Sequence, residues 1–417
     1  MQEYRCLYGK SFKKFYLNEN NLITELLPNP LEINAVGEDE VKRAISNPIG
    51  SKRLKDIVKP AQKVVIITSD ITRPMPSKLV VPHVIEELLA GGVGCDDISI
   101  IFAVGSHREH TEEEKKYLVG EETYNRVKCI DSNPNDYVHM GMTKSGTPVD
   151  IFRVVAEADI RICLGNIEYH WFAGYSGGAK AIMPGVSTKA AIQRNHRFLV
   201  REEAKAGDME NNPVRYDIEE VANIVPIHFI VNVVLDENKN IIKAVAGHHI
   251  LAHREGCKFL DQFYKVPIKE QADIVIVSAG GFPKDLNLYQ AQKALDNARH
   301  AVRQGGIIIW AGRCQEGLGE EVFEDWIISA KDPQSILERI QVDFQLGGHK
   351  AAAIAGVLVK AQIFLVSELD PELVKNIFMQ PFTEVTDALE EAFRQLGNKS
   401  KVIFMPVGGS TLPVLNK

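Results

Sequence analysis

The sequence predicts an α/β fold made of two Rossmann-like domains, with mostly parallel sheets and an active-site cleft between the domains. Short apolar runs alternate with helix-like segments along most of the chain. These runs stay apolar at consecutive positions, as in KVVIITS at 63–69, instead of alternating with polar residues. Continuous apolar strands are typical of parallel sheets covered by helices on both faces. The order strand, helix, strand then predicts a doubly wound fold.

The first domain is predicted to extend over residues 1–267. Its strands are predicted at the apolar runs 63–69, 97–104, 159–164 and 227–234. The segment 82–90, PHVIEELLA, is predicted to be a helix, because proline is favoured in the first turn.

A second cycle of strand and helix begins near Asp273 and predicts a second domain over 268–399. The predicted elements are a strand at 273–281 that ends in glycines, a helix at 289–304, and strands at 305–312, 363–367 and 401–405. The boundary is placed in the polar, proline-containing stretch 265–272. The segment 400–417 is left open between the two domains, since C-terminal segments often return to the first.

Composition and charge exclude several function classes. The 417 residues are 45% hydrophobic and 25% charged, as in an ordinary globular protein. The formal net charge of -7 argues against broad nucleic-acid binding, which needs a basic surface. No apolar run has the length of a membrane span, and the N-terminus lacks the apolar core of a signal peptide. The six scattered cysteines form no CxxC pair and indicate reduced thiols, so a cytoplasmic location is expected.

Polar residues follow three of the predicted strands at the point where each strand ends. Asp70, Thr72 and Arg73 follow the first strand, His107 follows the second, and His170 follows the third. In open α/β sheets, ligands bind outside the carboxyl ends of the strands. These loops are therefore expected to converge on one ligand site.

Each of these residues also has an ordinary interpretation. Arg73 taken alone is most simply a surface ion-pair partner, although its planar guanidinium beside Asp70 also suits a carboxylate or a phosphate. His107 and His170 taken singly are ordinary capping or packed histidines. Two histidines on one rim, however, are a natural pair of acid and base.

A glycine-rich loop, Gly174 to Lys180, superficially resembles a phosphate-binding loop. It departs from the Walker pattern, because the spacing is one residue short and Ala181 stands where serine or threonine would bind magnesium. The glycines allow close backbone approach or left-handed turns. His196 follows a predicted helix, where it either satisfies backbone carbonyls or binds a metal whose other ligands come from a cofactor.

The second domain carries one further group of polar residues. Gln290 and Lys293 lie three residues apart in the predicted helix and share a face. A lysine near a helix start is disfavoured by the helix dipole, which indicates an anionic partner or an ordinary solvated face.

With these motifs, the chain resembles the lactate racemase family, the racemases and epimerases of 2-hydroxy acids that carry a nickel-pincer nucleotide. The matching segments follow one another over most of the chain: DITRP (70–74), GSHR (105–108), HWFAG (170–174), SGGAK (176–180), Pro184-Gly185, Asn195-His196 and YQAQK (289–293). The ten-residue step from His170 to Lys180 and the sixteen-residue step from Lys180 to His196 also agree with the family.

The resemblance implies a cofactor, the Ni(II)-pyridinium-3,5-bisthiocarboxylate mononucleotide. In the family it is joined as a thioamide to the lysine that matches Lys180, and its nickel takes a fourth ligand from the histidine that matches His196. The predicted cofactor-binding residues are Asp70, Thr72, Arg73, Lys180, Pro184 and His196. Dedicated enzymes synthesise this cofactor, so those enzymes are expected partners and a recombinant chain can be an apoprotein.

The resemblance also implies racemisation of a lactate-like 2-hydroxy acid. One histidine, His107 or His170, removes the hydroxyl proton, and the C2 hydride passes to the cofactor to leave a 2-oxo acid. The hydride then returns to the opposite face, and the other histidine returns the proton. The predicted substrate-binding residues are Arg73, Tyr289, Gln290 and Lys293.

The choice of 2-hydroxy acid is left open by the sequence. Trp171 would narrow the pocket and favour a small or apolar substrate. The lactate-specific pattern has a tryptophan near 345–350, whereas this chain has QLGGHK there. His349 or Lys350 could instead contact a polar tail of the substrate. The simpler expectation is that both residues lie in a solvated loop.

Two other function classes also stay open. A metal-dependent hydrolase would need a carboxylate-rich cluster of metal ligands. Asp70, His107 and His170 could supply only a sparse cluster. A non-catalytic protein that binds anionic metabolites is the other class, and the histidine pair with Lys180 argues against it.

Overall fold

A computed structural model describes residues 1–30, 33, 36–105, 107–236, 238–345 and 347–416. Ser106 of the GSHR motif, Leu346 of the 345–350 segment and Lys417 lie outside the described residues. The chain divides into two compact units. The central unit is Leu31–Gln262, and the terminal unit combines Met1–Pro30 with Phe263–Lys417.

Helices and strands alternate through most of both units. The strands are β1 (Gln2–Tyr8), β2 (Ser11–Leu17), β3 (Leu22–Glu25), β4 (Val64–Ser69), β5 (Ile98–Ala103), β6 (Lys128–Asp131), β7 (Tyr137–Met142), β8 (Pro148–Phe152), β9 (Ile160–Asn166), β10 (Tyr169–His170), β11 (Gly174–Tyr175), β12 (Phe229–Leu235), β13 (Ile241–Gly247), β14 (Lys265–Ile268), β15 (Ala272–Ser278), β16 (Val302–Ala311), β17 (Gln362–Val366), β18 (Gln380–Phe382), β19 (Val402–Met405) and β20 (Leu412–Leu415). The helices are α1 (Gly37–Ser46), α2 (Ser77–Ala90), α3 (Glu112–Val119), α4 (Glu121–Arg126), α5 (Arg153–Ala156), α6 (Lys189–His196), α7 (Pro213–Ile224), α8 (Leu251–Tyr264), α9 (Leu288–Ala298), α10 (Glu321–Ile328), α11 (Pro333–Val342), α12 (Gly348–Leu358), α13 (Pro371–Asn376) and α14 (Val385–Leu396).

The central unit is built on a six-stranded sheet in the order β13-β12-β9-β4-β5-β6. Its strands pair in parallel except for β13, which is antiparallel to β12. Val64 of β4 lies opposite Ile98 of β5 on one side and Ile160 of β9 on the other. The strand order therefore changes direction at β4, so the loops after β4, β5 and β9 leave the sheet side by side.

Helices α1, α2 and α3 pack with the strands of this sheet in one apolar core. Helix α2 begins at Ser77, so the predicted start at Pro82 is wrong and Pro82 lies inside the helix. The fully buried Val80 and Val81 lie N-terminal to it. Their burial offsets the one backbone hydrogen bond that a proline removes.

The terminal unit contains a second six-stranded sheet, β18-β17-β16-β15-β19-β3, whose strands are all parallel. The antiparallel hairpin of β1 and β2 buries alternate apolar side chains, among them Tyr4 and Phe15, in the core of this unit. The α/β class with mostly parallel sheets is thus confirmed.

The structure divides the chain differently from the predicted domains 1–267 and 268–399. Residues 1–30 lie in the terminal unit, because the β1–β2 hairpin packs there and β3 pairs with β19. The segment 400–417 belongs to the same unit, where β19 pairs with β15 and β20 with β14. The division falls after Gln262, near the end of α8.

Two features bear on the expected environment of the chain. Among the helices that the structure describes, none combines the length and the apolar character of a membrane span. All six cysteines are free thiols.

Candidate active site

The turn after β4 and the loop after β5 form a hydrogen-bonded group around Asp70. The buried Asp70 carboxylate accepts a hydrogen bond from Thr72 Oγ1 at 2.8 Å, and its other oxygen bonds to His107 Nδ1. Burial disfavours the ionised carboxylate, but the hydrogen bond and charge of His107 outweigh burial and lower the pKa of Asp70. An ionised carboxylate accepts, so His107 donates through Nδ1–H and keeps Nε2 for other partners. Asp70 and Thr72, predicted to bind cofactor, therefore orient His107 here.

A second histidine fixes the same turn and was missed in the sequence. The backbone N–H of Ile71 donates to His110 Nε2 at 3.0 Å. His110 Nδ1 in turn lies 2.6 Å from Asp131 Oδ1, and Lys115 pairs with the other Asp131 oxygen at 2.9 Å. The sequence signal was the second histidine in GSHREH, but nothing in the sequence joins it to Asp131 of β6.

His170 lies on a very short antiparallel ladder of β10 and β11, where it pairs with Gly174. Its ring meets Phe172 edge-on at a centroid distance of 4.5 Å, and Nδ1 accepts the N–H of Ala173 at 3.3 Å. Burial, followed by the charges of Lys180 and Arg73, lowers the pKa of His170 well below its ordinary value. The ring is therefore neutral, and its proton sits on Nε2 because Nδ1 is an acceptor.

Lys180 lies in a 3-10 turn, Gly178–Ala181, and is partly buried. Its ammonium is 5.9 Å from the centroid of the Phe172 ring. Burial and the charges of Arg215 and Arg73 hold the pKa of Lys180 well below the usual lysine range. Such an amine is uncharged at a lower pH than an ordinary lysine, and the uncharged amine is the nucleophilic form.

His196 ends helix α6 and packs against the same phenylalanine. The ring is buried and lies 4.9 Å from Phe172, centroid to centroid. Burial and the charge of Lys180 lower the pKa of His196 to about 3, so the imidazole is neutral at physiological pH. A neutral imidazole is the form that binds metals. Among the described residues, no group of three or more His, Cys, Asp or Glu side chains is arranged to hold a metal ion.

The central unit thus brings together most of the predicted site. Phe172 contacts His170, Lys180 and His196. Arg73 is exposed, and its charge affects the titration of Asp70, His170 and Lys180. Pro184 lies beside the loop after β5, because the carbonyl of the following residue, Gly185, accepts the backbone N–H of Gly105 at 3.0 Å.

The remaining predicted residues lie in the terminal unit, at the start of α9. Asn287 caps this helix by accepting the Gln290 N–H at 2.9 Å. Gln290 and Lys293 are exposed and Tyr289 is partly buried. The alternative expectation of a solvated loop at His349 and Lys350 is wrong, because both side chains are buried in α12, which packs on α9.

The glycines of the loop are required by neighbouring protein groups. Gly174 has φ +75°, and a Cβ there would lie 2.1 Å from the Asp208 carbonyl oxygen. A Cβ on Gly177 would lie 2.9 Å from Asn232 Oδ1, and one on Gly178 would lie 3.0 Å from the His253 ring. The close approach expected at these glycines is therefore made by the protein's own backbone and side chains.

Substitution of Gly174 by alanine is expected to destabilise the central unit strongly. The left-handed backbone alone costs about 1–3 kcal/mol for a residue with a Cβ, and the clash with the Asp208 carbonyl adds to it. Urea unfolding followed by circular dichroism measures the loss. Gly356→Ala is the matched control, because a Cβ there meets open space in α12 and alanine is favoured there by about 0.5–1 kcal/mol. Equal stability of G174A and wild type would contradict this account.

Two family models match the chain. The lactate racemase N-terminal domain matches residues 8–207, and the lactate racemase C-terminal domain matches residues 268–412. The lactate racemase of Thermoanaerobacterium thermosaccharolyticum is 36% identical over 417 residues, 97% of either chain. That of Lactiplantibacillus plantarum is 34% identical over 386 residues, 90% of this chain and 91% of the relative.

Two solved structures are also similar to this chain. The lactate racemase apoprotein from T. thermosaccharolyticum matches with a TM-score of 0.90 and 34% identity, covering 100% of both chains. A Thermotoga maritima protein matches with a TM-score of 0.67 and 18% identity, over 93% of this chain and 100% of its own. At that identity the second match supports the fold alone.

Proposed function

This chain belongs to the lactate racemase family, and on that premise we propose that it interconverts the two enantiomers of a small 2-hydroxy acid, with lactate to be tested first. The family makes it an isomerase. The observation that carries the proposal is the pair His107 and His170, which follow β5 and β9, the strands on either side of β4, at the carboxyl end of one sheet.

The two histidines can supply the two proton transfers of a racemase. His107 is bound to Asp70 through Nδ1, so its Nε2 can accept the hydroxyl proton of one enantiomer, and the Asp70 carboxylate stabilises the imidazolium that forms. His170 is the proposed acid in this direction: as an imidazolium, the form that a bound substrate carboxylate would favour, it gives its Nε2 proton to the substrate oxygen and becomes neutral. In the reverse direction neutral His170 is the base and the His107 imidazolium is the acid. Arg73 would bind the carboxylate of either enantiomer.

The residues present fit the nickel-pincer nucleotide that the family resemblance implies. Lys180 has a lowered pKa and can be acylated, and His196 is a neutral imidazole beside the same Phe172 ring. We propose that Lys180 carries the nucleotide, that His196 ligates its nickel, and that Arg73 and Pro184 line its site. When bound, this group supplies the acceptor and donor for the C2 hydride. Asp70 and Thr72 contribute by orienting His107.

The test is racemisation by protein that has been co-expressed with the cofactor-synthesis enzymes. Single enantiomers of lactate and of other 2-hydroxy acids are incubated with it, and chiral chromatography follows the appearance of the opposite enantiomer. Racemisation of at least one acid is expected. Loaded protein that racemises none of them, yet binds them, would favour the anionic-metabolite-binding alternative. Release of a hydrolysis product instead would favour the hydrolase.

Lys293→Ala is expected to raise the KM for the 2-hydroxy acid about 10- to 100-fold with a smaller change in kcat. The exposed Lys293 ammonium is proposed to bind the substrate carboxylate with help from Gln290 and Tyr289, and such a charged hydrogen bond contributes about 1.5–3 kcal/mol. Steady-state kinetics of the loaded enzyme measure the effect. Lys375→Ala removes another exposed ammonium, paired with Glu372 at 2.6 Å, and should leave KM unchanged. Unchanged KM in K293A would remove Lys293 from the substrate site.

We also propose that the chain works in the cytoplasm, where the cofactor-synthesis enzymes would load it. Mass analysis of the protein from soluble cell extract, with and without those enzymes, tests whether loading depends on them.

A further inference from the structure

Two side chains at the start of helix α7 bind carbonyl groups of the segment 172–177, which includes the first part of the glycine-rich loop. Asn212 caps α7 by accepting the N–H of Arg215 at 3.1 Å, and its amide donates to the Phe172 carbonyl at 2.9 Å. The guanidinium of Arg215 donates to the carbonyls of Ala173 at 3.4 Å, Gly177 at 3.5 Å and Tyr175. One helix start therefore binds four backbone carbonyls, those of Phe172, Ala173, Tyr175 and Gly177.

The rest of the loop is held by side chains from other elements. His253 of α8 donates through Nε2 to the Ser176 carbonyl at 2.8 Å. Asn232 of β12 accepts the N–H of Gly178 at 2.8 Å. The backbone between His170 and Lys180 thus takes its shape from side chains distant in sequence, because it has little regular structure of its own.

The use of a charged side chain here has an energetic cost. Arg215 is fully buried, and every hydrogen bond that its guanidinium makes among the described residues goes to a carbonyl of this loop. Removing an ion from water costs several kcal/mol unless its hydrogen bonds are satisfied. A planar guanidinium binds several carbonyls at fixed angles, which the single ammonium of a lysine cannot do. Burial is the main cause of the lowered pKa values of His170 and Lys180, and the charge of Arg215 adds to it at both.

We propose that Asn212 and Arg215 are positioning residues that set the distance and direction between the His170 imidazole and the Lys180 amine by binding the carbonyls between them. The inference rests on the proposed function for the roles of His170 and Lys180. The positioning itself is a property of the protein without cofactor.

Arg215→Lys tests this inference, with Arg161→Lys as the matched control. Arg161 is also buried and also binds two backbone carbonyls, of Val155 at 2.8 Å and Ala156 at 2.6 Å, outside the loop. Hydrogen–deuterium exchange of the apoprotein is measured for peptides covering 172–178, together with thermal unfolding. We expect exchange in this segment to be at least about tenfold faster in R215K than in wild type, and unchanged in R161K.

Kinetics of the loaded enzyme separate positioning from a general loss of structure. R215K should lower kcat at least about tenfold while KM stays within about threefold, because misplacement of reacting groups affects the chemical step. R161K should retain both constants. If R215K does not fold, Asn212→Ser is used instead, because serine keeps the helix cap but loses the bond to the Phe172 carbonyl.

Each outcome decides the inference. Unchanged loop exchange, or unchanged kcat, in a folded R215K or N212S variant would overturn it. Equal effects in R215K and R161K would overturn it as well, because they would show a general consequence of losing a buried arginine. If the loaded wild-type enzyme racemises no 2-hydroxy acid, the proposed function fails, and the exchange measurement alone still decides whether these residues fix the loop.

Discussion

Replacing Lys180 with arginine is expected to abolish covalent attachment of the cofactor and to reduce racemisation to the background rate. The pKa of Lys180 is held well below the usual range by burial and by Arg215 and Arg73, so its amine can lose its proton and be acylated. A guanidinium stays protonated under all ordinary conditions and cannot form the thioamide. Intact mass and peptide mapping after co-expression with the synthesis enzymes measure attachment, and chiral chromatography measures activity.

Lys189→Arg is the control for this experiment. Lys189 begins helix α6 and is exposed, so its replacement should change neither the adduct nor the rate. A K180R protein that carries the same mass increase, or that racemises at the wild-type rate, would contradict the assignment of Lys180.

The place of the candidate site could be predicted because the ends of strands leave a local trace in the sequence. The apolar runs at β4, β5 and β9 are continuous, and each is followed by Asp70, His107 or His170 within a few residues. Parallel pairing of these three strands then places their loops side by side. This step needs only the general geometry of open α/β sheets, and the structure confirms the fold on which it depends.

The residues that shape the site could not be predicted, because their partners are distant in sequence. Arg215 binds carbonyls about 40 residues before it, and His110, in the loop after β5, bonds to Asp131 of β6. A single sequence records the residue type but no pairing, so each looks like an ordinary surface arginine or histidine. The N-terminal hairpin shows the same limit, since its alternating pattern indicates strands but not the unit on which they pack.

The glycines show that a local pattern can have two physical causes. Both a bound group and a neighbouring backbone can require a residue without a Cβ. Only the contacts at Gly174, Gly177 and Gly178 distinguish them, and these contacts are with Asp208, Asn232 and His253. A glycine-rich loop beside a lysine therefore does not by itself identify a phosphate site.

His107→Ala and His170→Ala are each expected to lower kcat about 10²- to 10⁴-fold, the usual contribution of general acid–base catalysis. KM should change little, because the carboxylate of the substrate is proposed to bind elsewhere. His139→Ala is the matched control: His139 also bonds to a carboxylate, Asp150, at 2.6 Å, yet it lies on β7, outside the loops of the site. Wild-type kcat in either H107A or H170A would remove that histidine from the reaction.

Asp70→Asn distinguishes the two histidines from each other. Of the two histidines, Asp70 bonds to His107 alone, so loss of the carboxylate should lower kcat in the wild-type background by misorienting that ring. In the H107A background the same change should add little, because the oriented group is already gone. In the H170A background it should add a larger part of its effect, unless the two histidines act strictly as one unit. Full additivity of D70N with H107A would show that Asp70 acts directly on substrate or cofactor, and would return it to the cofactor-binding role predicted from the sequence.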